Sequence, residues 1–320
     1  MLFRERHSSV CCLKSGVYTP LPTFSNEDEE LNLEEYEEHL IRECSCYWTP
    51  STYELTNPPL DKQGFESVPI VAGVGGLSTR ETVHLAQDAA SAGAAVGMVI
   101  PPAYYAATLQ QDSSQIEQYY IDICRLSPIP LLLYNFPANS AGQDLSAKSI
   151  IRIIENLPNL CGLKLTCPGR VHKLAQVTAL VKTNPELLVL DGVMHDLPAW
   201  KEFGGHGTVS GISNIAPSST VTLWNLCCLE NPSLEQQKEL REVLNVLSKI
   251  EARCHRHSVQ NVWESLATLW GRYGSQILRH FHILRCPDPL PLLEEQCSMK
   301  VLLFAWSKSR DGRTTETCPW

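Results

Sequence analysis

Residues 130–166 have the sequence PLLLYNFPANSAGQDLSAKSIIRIIENLPNLCGLKLT, and the pattern from which the fold can be inferred lies here. Its two ends, 130–135 and 160–166, are apolar runs of a length typical of buried strands, whereas 146–156 has helical periodicity. A strand, a helix and a second strand in this order are typical of a βαβ unit in a parallel sheet. The stretch therefore predicts a parallel α/β fold.

The same alternation of strand and helix continues on both sides of this unit. Toward the N-terminus, 16–21 is predicted as a strand and 31–44 as an acidic amphipathic helix. Seven strand–helix units result, and an eight-unit (β/α)8 TIM barrel of about 250 residues is the closed form of such a sheet. The other predicted strands are 69–74, 95–100, 187–191 and 207–210, and the other helices are 79–92, 114–126, 171–183, 194–203 and 217–230.

The barrel falls one unit short, and the position of the gap is visible in the sequence. Later strand starts are 20 to 35 residues apart, but 53 residues separate Gly16 from Pro69. Between them, 45–67 contains three prolines and no strand or helix period. We therefore expect a barrel that lacks most of its second strand–helix unit. Either seven strands close under strain or 45–67 fills the slot irregularly, and in both cases we expect low stability.

This pattern divides the chain into four parts. Residues 1–15 form an N-terminal tail, and 16–233 form the catalytic barrel with its irregular segment 45–67. Residues 234–285 are predicted to be additional C-terminal helices, at about 234–255 and 258–273, packed outside the barrel. Residues 286–320 are predicted to be an irregular tail.

Composition excludes several classes of protein. The chain has 320 residues, 43% of them hydrophobic, and a net charge of −9, which argues against nucleic-acid binding. No stretch reaches the roughly 18 apolar residues that a membrane span requires. The 13 cysteines are odd in number and lie mostly in apolar runs, which favours reduced thiols in the cytoplasm. Residues 1–16 lack the apolar segment of a secretory signal, and a mitochondrial presequence is the alternative.

Three local motifs receive a structural interpretation. Ser78 and Glu81 are predicted to cap the helix that follows the glycine-rich turn 73–76, whose spacing does not match a dinucleotide site. Residues 254–257 (CHRH) have no second pair at zinc-site spacing, so no metal or cofactor is predicted. The loop 204–207 (GGHG) leaves a phosphate-binding barrel open as a further hypothesis.

Two reactive side chains lie where strands end, which is where barrel enzymes hold their catalytic groups. Tyr134 closes one predicted strand and Lys164 lies near the end of the next. Burial in an apolar strand lowers the pKa of a lysine and increases the fraction present as a nucleophilic amine. A tyrosine beside it can donate and accept protons. The alternative is a lysine that extends to solvent from the rim, with Tyr134 as packing.

These residues also carry a family resemblance. The motif Tyr134-Asn135-Phe136-Pro137, followed by Gly162-Leu163-Lys164, resembles the dihydrodipicolinate synthase/N-acetylneuraminate lyase family of class I, Schiff-base aldolases. Segments 16–24, 69–81, 101–105 and 204–210 are similar to other motifs of that family, in the same order. The resemblance covers about 16–43 and 68–250.

The resemblance implies roles for individual residues. Lys164 would form the Schiff base with pyruvate or a related 2-oxo acid, and Tyr134 would donate and accept protons. Tyr105 would complete a relay in a neighbouring subunit, so a homo-oligomer, a dimer or a tetramer, is implied. The main chain around Val209 would line the 2-oxo acid site. The partners would be this acid and an aldehyde, with no nucleic acid, membrane or cofactor.

The sequence departs from the family at two places. The Gly-(Thr/Ser)-x-Gly-Glu motif that holds the pyruvate carboxylate is missing from 45–67, so activity could be impaired. Residues 138–142 lack the arginine with which the synthases bind a second carboxylate. The resemblance is therefore greater to 4-hydroxy-2-oxoglutarate aldolases or 2-keto-3-deoxy-sugar-acid aldolases than to dihydrodipicolinate synthase proper. A catalytically inactive barrel that serves as a binding partner is the remaining alternative.

Overall fold

The computed structural model describes residues 13–21, 34, 37–39, 68–157, 159–184, 186–256 and 300–303. Within these residues, parallel strands form a closed barrel in the order β1-β7-β6-β5-β4-β3-β2-β8. The strands are β1 Gly16–Pro20, β2 Ile70–Gly73, β3 Val96–Val99, β4 Leu131–Asn135, β5 Leu160–Leu165, β6 Leu188–Asp191, β7 Gly207–Val209 and β8 Lys300–Leu303.

Helices follow the strands and cover the outside of the barrel. They are α1 Thr79–Ser91, α2 Ala106–Gln111, α3 Ser113–Leu126, α4 Ala147–Asn156, α5 Arg170–Thr183, α6 Leu197–Glu202, α7 Pro217–Cys227 and α8 Leu234–Arg256. Short 3-10 turns occupy Pro137–Asn139 and Gly211–Asn214. The predicted TIM-barrel architecture is confirmed. None of the described helices combines the length and the apolar character needed to cross a membrane.

One short helix, α2, differs from the prediction, and the predicted helix 31–44 is described only in part. The short helix α2 was not predicted; it ends at Asp112, whose side chain then accepts a hydrogen bond from the Ser114 amide and caps α3. Of the predicted helix 31–44, residues 34 and 37–39 are helical and the others lie outside the described residues. The predicted helix 258–273 and the segment 45–67 also lie outside them.

The strand β8 corrects the prediction for the C-terminal tail. Residues 286–320 were expected to be irregular, but Lys300–Leu303 form a strand between β1 and β2. Val301 is in register with Thr19 of β1 and with Ile70 of β2. The physical reason is that two neighbouring strands with open edges leave main-chain groups unpaired, and a parallel strand satisfies both edges. A strand of four residues is too short for a periodicity to reveal.

Side chains alternate between two apolar layers, as strand geometry requires. One layer lies inside the barrel, and the other lies between the sheet and the helices. The inner layer is contributed by almost every strand: Tyr18, Val71, Val96, Met98, Leu132, Tyr134, Leu188, Leu190 and Val209. The barrel interior is therefore a packed core, and a charged side chain placed in it is removed from water.

The glycine-rich turns have structural roles. Ser78 Oγ accepts from the Glu81 amide and Glu81 Oε2 accepts from the Leu77 amide, which confirms the predicted cap of α1. At the first residue of β7, Gly207 has φ 143°, and a Cβ at this position would overlap the carbonyl oxygen of Gly16 on β1.

The structure contradicts the phosphate-loop hypothesis for residues 204–207. The amides of Gly204, Gly205 and His206 donate to the carbonyl groups of Lys201, Trp200 and Val189, at 3.1, 2.8 and 2.9 Å. They are therefore not free to bind an anion. The loop also precedes its strand, so it lies at the opposite end of the barrel from the carboxyl ends of the strands, where barrel enzymes bind substrates.

We predict that deletion of residues 300–320 lowers the free energy of unfolding by more than about 3 kcal/mol, because several buried main-chain groups of β1 and β2 lose their partners. Urea denaturation followed by circular dichroism measures the change. The matched control is deletion of 304–320, which keeps β8 and should leave stability nearly unchanged. Equal stability of the two truncated chains would show that β8 does not close the barrel.

Candidate active site

Lys164 lies inside the barrel, on β5. Its register partner on β4 is Tyr134, and its Nζ is 4.0 Å from the centre of the Tyr134 ring. Only 5% of Lys164 is exposed. The structure therefore brings together the two side chains that the sequence singled out, and it contradicts the alternative of a rim lysine that extends to solvent.

Burial changes the protonation of Lys164. Removal from water lowers the pKa of its amine to about 7, and the negative charge of Asp191 opposes this effect in part. An ordinary lysine titrates near pH 10.4, so it is almost entirely cationic at neutral pH. Lys164 is instead present as a free amine to a large extent, which is the form that attacks a carbonyl carbon.

The hydroxyl of Tyr134 is protonated at neutral pH. Burial raises the pKa of its hydroxyl above the ordinary value, an effect that the Thr166 side chain opposes in part. The ring stacks on Phe136, with centroids 5.5 Å apart. Thr166 was missed by the sequence analysis, although it stands two residues after Lys164, a spacing that places residues on the same side of a strand.

The loop after β4 is fixed by a polar cluster. Asn135 Oδ1 accepts from the Leu145 amide at 3.1 Å, and its Nδ2 donates to Asp144 Oδ1 at 2.7 Å. Lys173 Nζ donates to the same carboxylate and to the Leu145 carbonyl oxygen. The charge of Lys173 is therefore compensated, and it does not replace the arginine that residues 138–142 lack.

The other two predicted site residues occupy different environments. Val209 ends β7 with its side chain in the inner layer, in register with Tyr18. Tyr105 lies at the start of α2, is 60% exposed, and meets Tyr104 edge to face at 4.9 Å. A single chain leaves Tyr105 facing solvent, so its part in a relay stays a prediction that concerns a second subunit.

A buried ion pair that the sequence analysis missed lies at the end of β6. Asp191 Oδ1 accepts from the amides of Gly192 and Val193, at 2.7 and 3.2 Å. Arg170, the first residue of α5, places its Nε 2.9 Å from the same oxygen, and its second terminal nitrogen binds Asp196. Burial raises the pKa of Asp191 to about 7, although Arg170 lowers it.

The long helix α8 reaches the same side of the barrel. The carboxylate of Glu251 accepts from the Met194 amide at 2.8 Å and the His195 amide at 3.1 Å, and it lies 2.7 Å from Nδ1 of His195. Glu251 is buried, whereas His195 is half exposed. The loop between β6 and α6 is thereby attached to α8. No group of three His, Cys, Asp or Glu side chains in the described ranges is arranged to hold a metal ion.

Comparison with known proteins agrees with this geometry. The sequence model of the dihydrodipicolinate synthetase family matches residues 63–269. The probable mitochondrial 4-hydroxy-2-oxoglutarate aldolase of Emericella nidulans is 35% identical over 222 residues, which cover 69% of this chain and 66% of that protein. The chain thus spans just under two thirds of this relative. The L-threo-3-deoxy-hexylosonate aldolase of Hypocrea jecorina is 28% identical, over 82% of this chain and 88% of that protein.

Solved structures share the fold. The crystal structure of YagE, a prophage protein of Escherichia coli K12 in complex with pyruvate, superposes with a TM-score of 0.64. The match is 24% identical in sequence and covers 81% of this chain and 89% of YagE. At this identity the likeness concerns the barrel architecture.

We predict that Glu251→Ala lowers the free energy of unfolding by about 2–3 kcal/mol, because two main-chain amides lose a charged acceptor. Urea denaturation measures the change. Glu242→Ala is the matched control on the same helix: its pair with Lys238 is exposed, so the loss should stay below about 0.5 kcal/mol. Equal effects of the two substitutions would mean that Glu251 does not hold the loop.

Proposed function

Because the chain belongs to the dihydrodipicolinate synthetase family, alongside relatives named as aldolases, we propose that it is a class I aldolase, a carbon–carbon lyase acting on a 2-oxo acid. The observation that supports this most directly is the environment of Lys164. Its side chain is buried, its Nζ lies 4.0 Å from the centre of the Tyr134 ring, and burial lowers its pKa to about 7. A solvated surface lysine would have none of these three properties.

The proposed chemistry uses these two side chains. The free amine of Lys164 attacks the ketone carbon of the 2-oxo acid, and the resulting hydroxyl leaves as water after Tyr134 donates its proton. The cationic imine then withdraws electrons from the bond between C3 and C4. As that bond breaks, the C4 hydroxyl returns a proton to Tyr134, an aldehyde leaves, and an enamine remains on Lys164. Protonation at C3 and hydrolysis release pyruvate, and the main chain around Val209 lines its site.

For the substrate, we propose 4-hydroxy-2-oxoglutarate or a 2-keto-3-deoxy sugar acid. The names of the Emericella and Hypocrea relatives support these two classes. Residues 138–142 contain no cation, and the nearby charge of Lys173 is held by Asp144, which disfavours the synthase reaction with its second carboxylate. No metal or cofactor is part of the proposed reaction.

One observation favours a second candidate, a catalytically impaired barrel. The family's carboxylate-binding motif is absent from 45–67, and the position between β1 and β2 is taken by β8. Without that motif, a pyruvate carboxylate would lose hydroxyl and amide donors. Weak pyruvate binding with a still reactive Lys164 is the expected signature of this second candidate.

We propose that the protein resides in the cytoplasm or the mitochondrion. The cysteines support a reducing compartment: Cys124 and Cys167 are buried thiols outside any disulfide. The mitochondrial name of the Emericella relative supports the second location.

We predict that borohydride reduction with pyruvate adds a stable adduct to the peptide that contains Lys164, because reduction converts the imine to a secondary amine. Peptide mass mapping detects it. Lys164→Ala should abolish the adduct, and Lys173→Ala, which removes a lysine outside the barrel, should retain it. An adduct on a different lysine, or the same labelling in Lys164→Ala, would contradict the Schiff-base proposal. Labelling that needs a large excess of pyruvate would support the impaired barrel.

We also predict a homo-oligomer in which Tyr105 is buried between subunits, because two exposed tyrosines, Tyr104 and Tyr105, project from one loop. Light scattering at micromolar concentration should report a dimer or a tetramer, and Tyr105→Asp should shift it toward the monomer. Leu234→Asp, at another exposed apolar side chain, is the control and should leave the assembly unchanged. A monomeric parent chain would refute this prediction.

A further inference from the structure

Gln143 is a buried polar side chain that the proposed reaction does not use. It lies between β4 and α4, in residues 136–146, which we call the β4 loop, and it is only 3% exposed. Its Nε2 donates to the carbonyl oxygen of Ser140 in the same loop at 3.1 Å, and to that of Pro102 in the loop after β3 at 2.9 Å. An amide nitrogen carries two hydrogens, so both bonds form at once. One side chain therefore joins the loops that follow two neighbouring strands.

The loop after β3 carries the two exposed tyrosines. This tyrosine loop, residues 100–105, contains Tyr104 and Tyr105 and leads directly into α2. Its Pro101 and Pro102 are both buried. A proline ring fixes the φ angle of its residue, so this part of the loop has few alternative conformations. A hydrogen bond to the Pro102 carbonyl group therefore also fixes the direction in which the chain continues to the tyrosines.

The β4 loop turns back on itself just before Gln143. Ala141 has φ 51° and Gly142 has φ 82°, and the Gly142 amide donates to the Pro137 carbonyl oxygen at 2.8 Å. A left-handed conformation is unfavourable for alanine, and it persists only where the surrounding contacts fix it. A Cβ on Gly142 would lie 3.9 Å from Nε2 of Gln110 on α2, so the turn also approaches the helix that follows the tyrosine loop.

Contacts continue from Gln143 to the proton donor of the proposed reaction. Ser140 is 0% exposed, and its Oγ donates to the Phe136 carbonyl oxygen at 2.9 Å and lies 3.2 Å from the Gln143 carbonyl oxygen. The ring of Phe136 in turn stacks on the ring of Tyr134. A continuous series of contacts thus connects Pro102 in the tyrosine loop with Tyr134 in the barrel.

We propose that Gln143 is a positioning residue that holds the tyrosine loop and the β4 loop in one fixed relation, so that Tyr105 and Tyr134 are oriented together. The part that concerns Tyr134 rests on the proposed function. Gln143 acts through the two loops and does not touch the reacting atoms. The two carbonyl groups that it serves are satisfied without burying a charge, because its amide is neutral and has two hydrogens on one nitrogen.

The first test is hydrogen–deuterium exchange on the full-length chain, measured by mass spectrometry on peptides that cover 101–111 and 136–146. Gln143→Met keeps the length of the side chain and removes both donors. Exchange should become about tenfold faster in both peptides, because the loops open more often once two buried carbonyl groups lack a partner. In the first peptide the reporters are amides that are hydrogen-bonded within the segment: Ala106, Thr108 and Leu109.

Two control variants separate coupling from local stabilisation. Gln118→Met makes the same chemical change on α3, where the amide donates to Asp122 at the surface, and should alter neither peptide. Ser140→Ala removes the bond to Phe136 but keeps the bond from Gln143 to the tyrosine loop, so exchange should become faster in the β4 loop alone. If Gln143→Met also affects only the β4 loop, Gln143 is a local stabiliser and the inference is overturned.

The second test follows cyanoborohydride trapping of Lys164 as the pyruvate concentration is varied. In Gln143→Met the maximum rate should fall about fivefold and the half-saturating concentration should stay within about twofold, because proton transfer by Tyr134 is disturbed while pyruvate binding is not. An unchanged maximum rate together with faster exchange in both loops would refute the link to Tyr134. If the parent chain forms no adduct on Lys164, the proposed function fails and this link fails with it, whereas the exchange result decides the coupling of the loops independently.

Discussion

Lys164 cannot be hydrated where it lies, and much of the site follows from this constraint. The interior of the barrel is lined by apolar side chains from almost every strand, and Nζ rests above the ring of Tyr134. A charged ammonium in such a place loses much of its solvation energy, so the equilibrium moves toward the free amine. The same apolar walls raise the pKa of the Tyr134 hydroxyl. Burial thus produces the nucleophilic form of Lys164, whereas Tyr134 would hold its proton at neutral pH in water as well.

Burial at this position depends on closure of the barrel. A parallel sheet has two edges, and the ladder from β2 to β7 and then β1 leaves one slot, between β1 and β2. The strand Lys300–Leu303 occupies it, although about 230 residues separate it along the chain from β2. Closure by a distant segment has an entropic cost that rises only slowly with loop length, so it is compatible with a stable ring.

Polar groups outside the barrel interior form a second level of organisation. Glu251 attaches the loop after β6 to α8, and Asp196 and Arg170 link that loop to the start of α5 and to Asp191. Each link joins a loop at the carboxyl end of a strand to a rigid helix. In barrels these loops carry the groups that meet substrates, and a loop held by charged hydrogen bonds keeps its geometry. The C-terminal helix is therefore part of the support of the site.

Local patterns in the sequence were sufficient to predict seven strands, the helix cap at Ser78 and Glu81, and the proximity of Lys164 to Tyr134. Each of these depends on spacings of a few residues or on neighbouring parallel strands, and such spacings are visible in the chain itself. The strand β8, the pair of Arg170 with Asp191, and the contact of Glu251 with residues 56 and 57 positions away depend on the three-dimensional fold. They are long-range contacts between residues with no common period, and only the closed barrel brings them together.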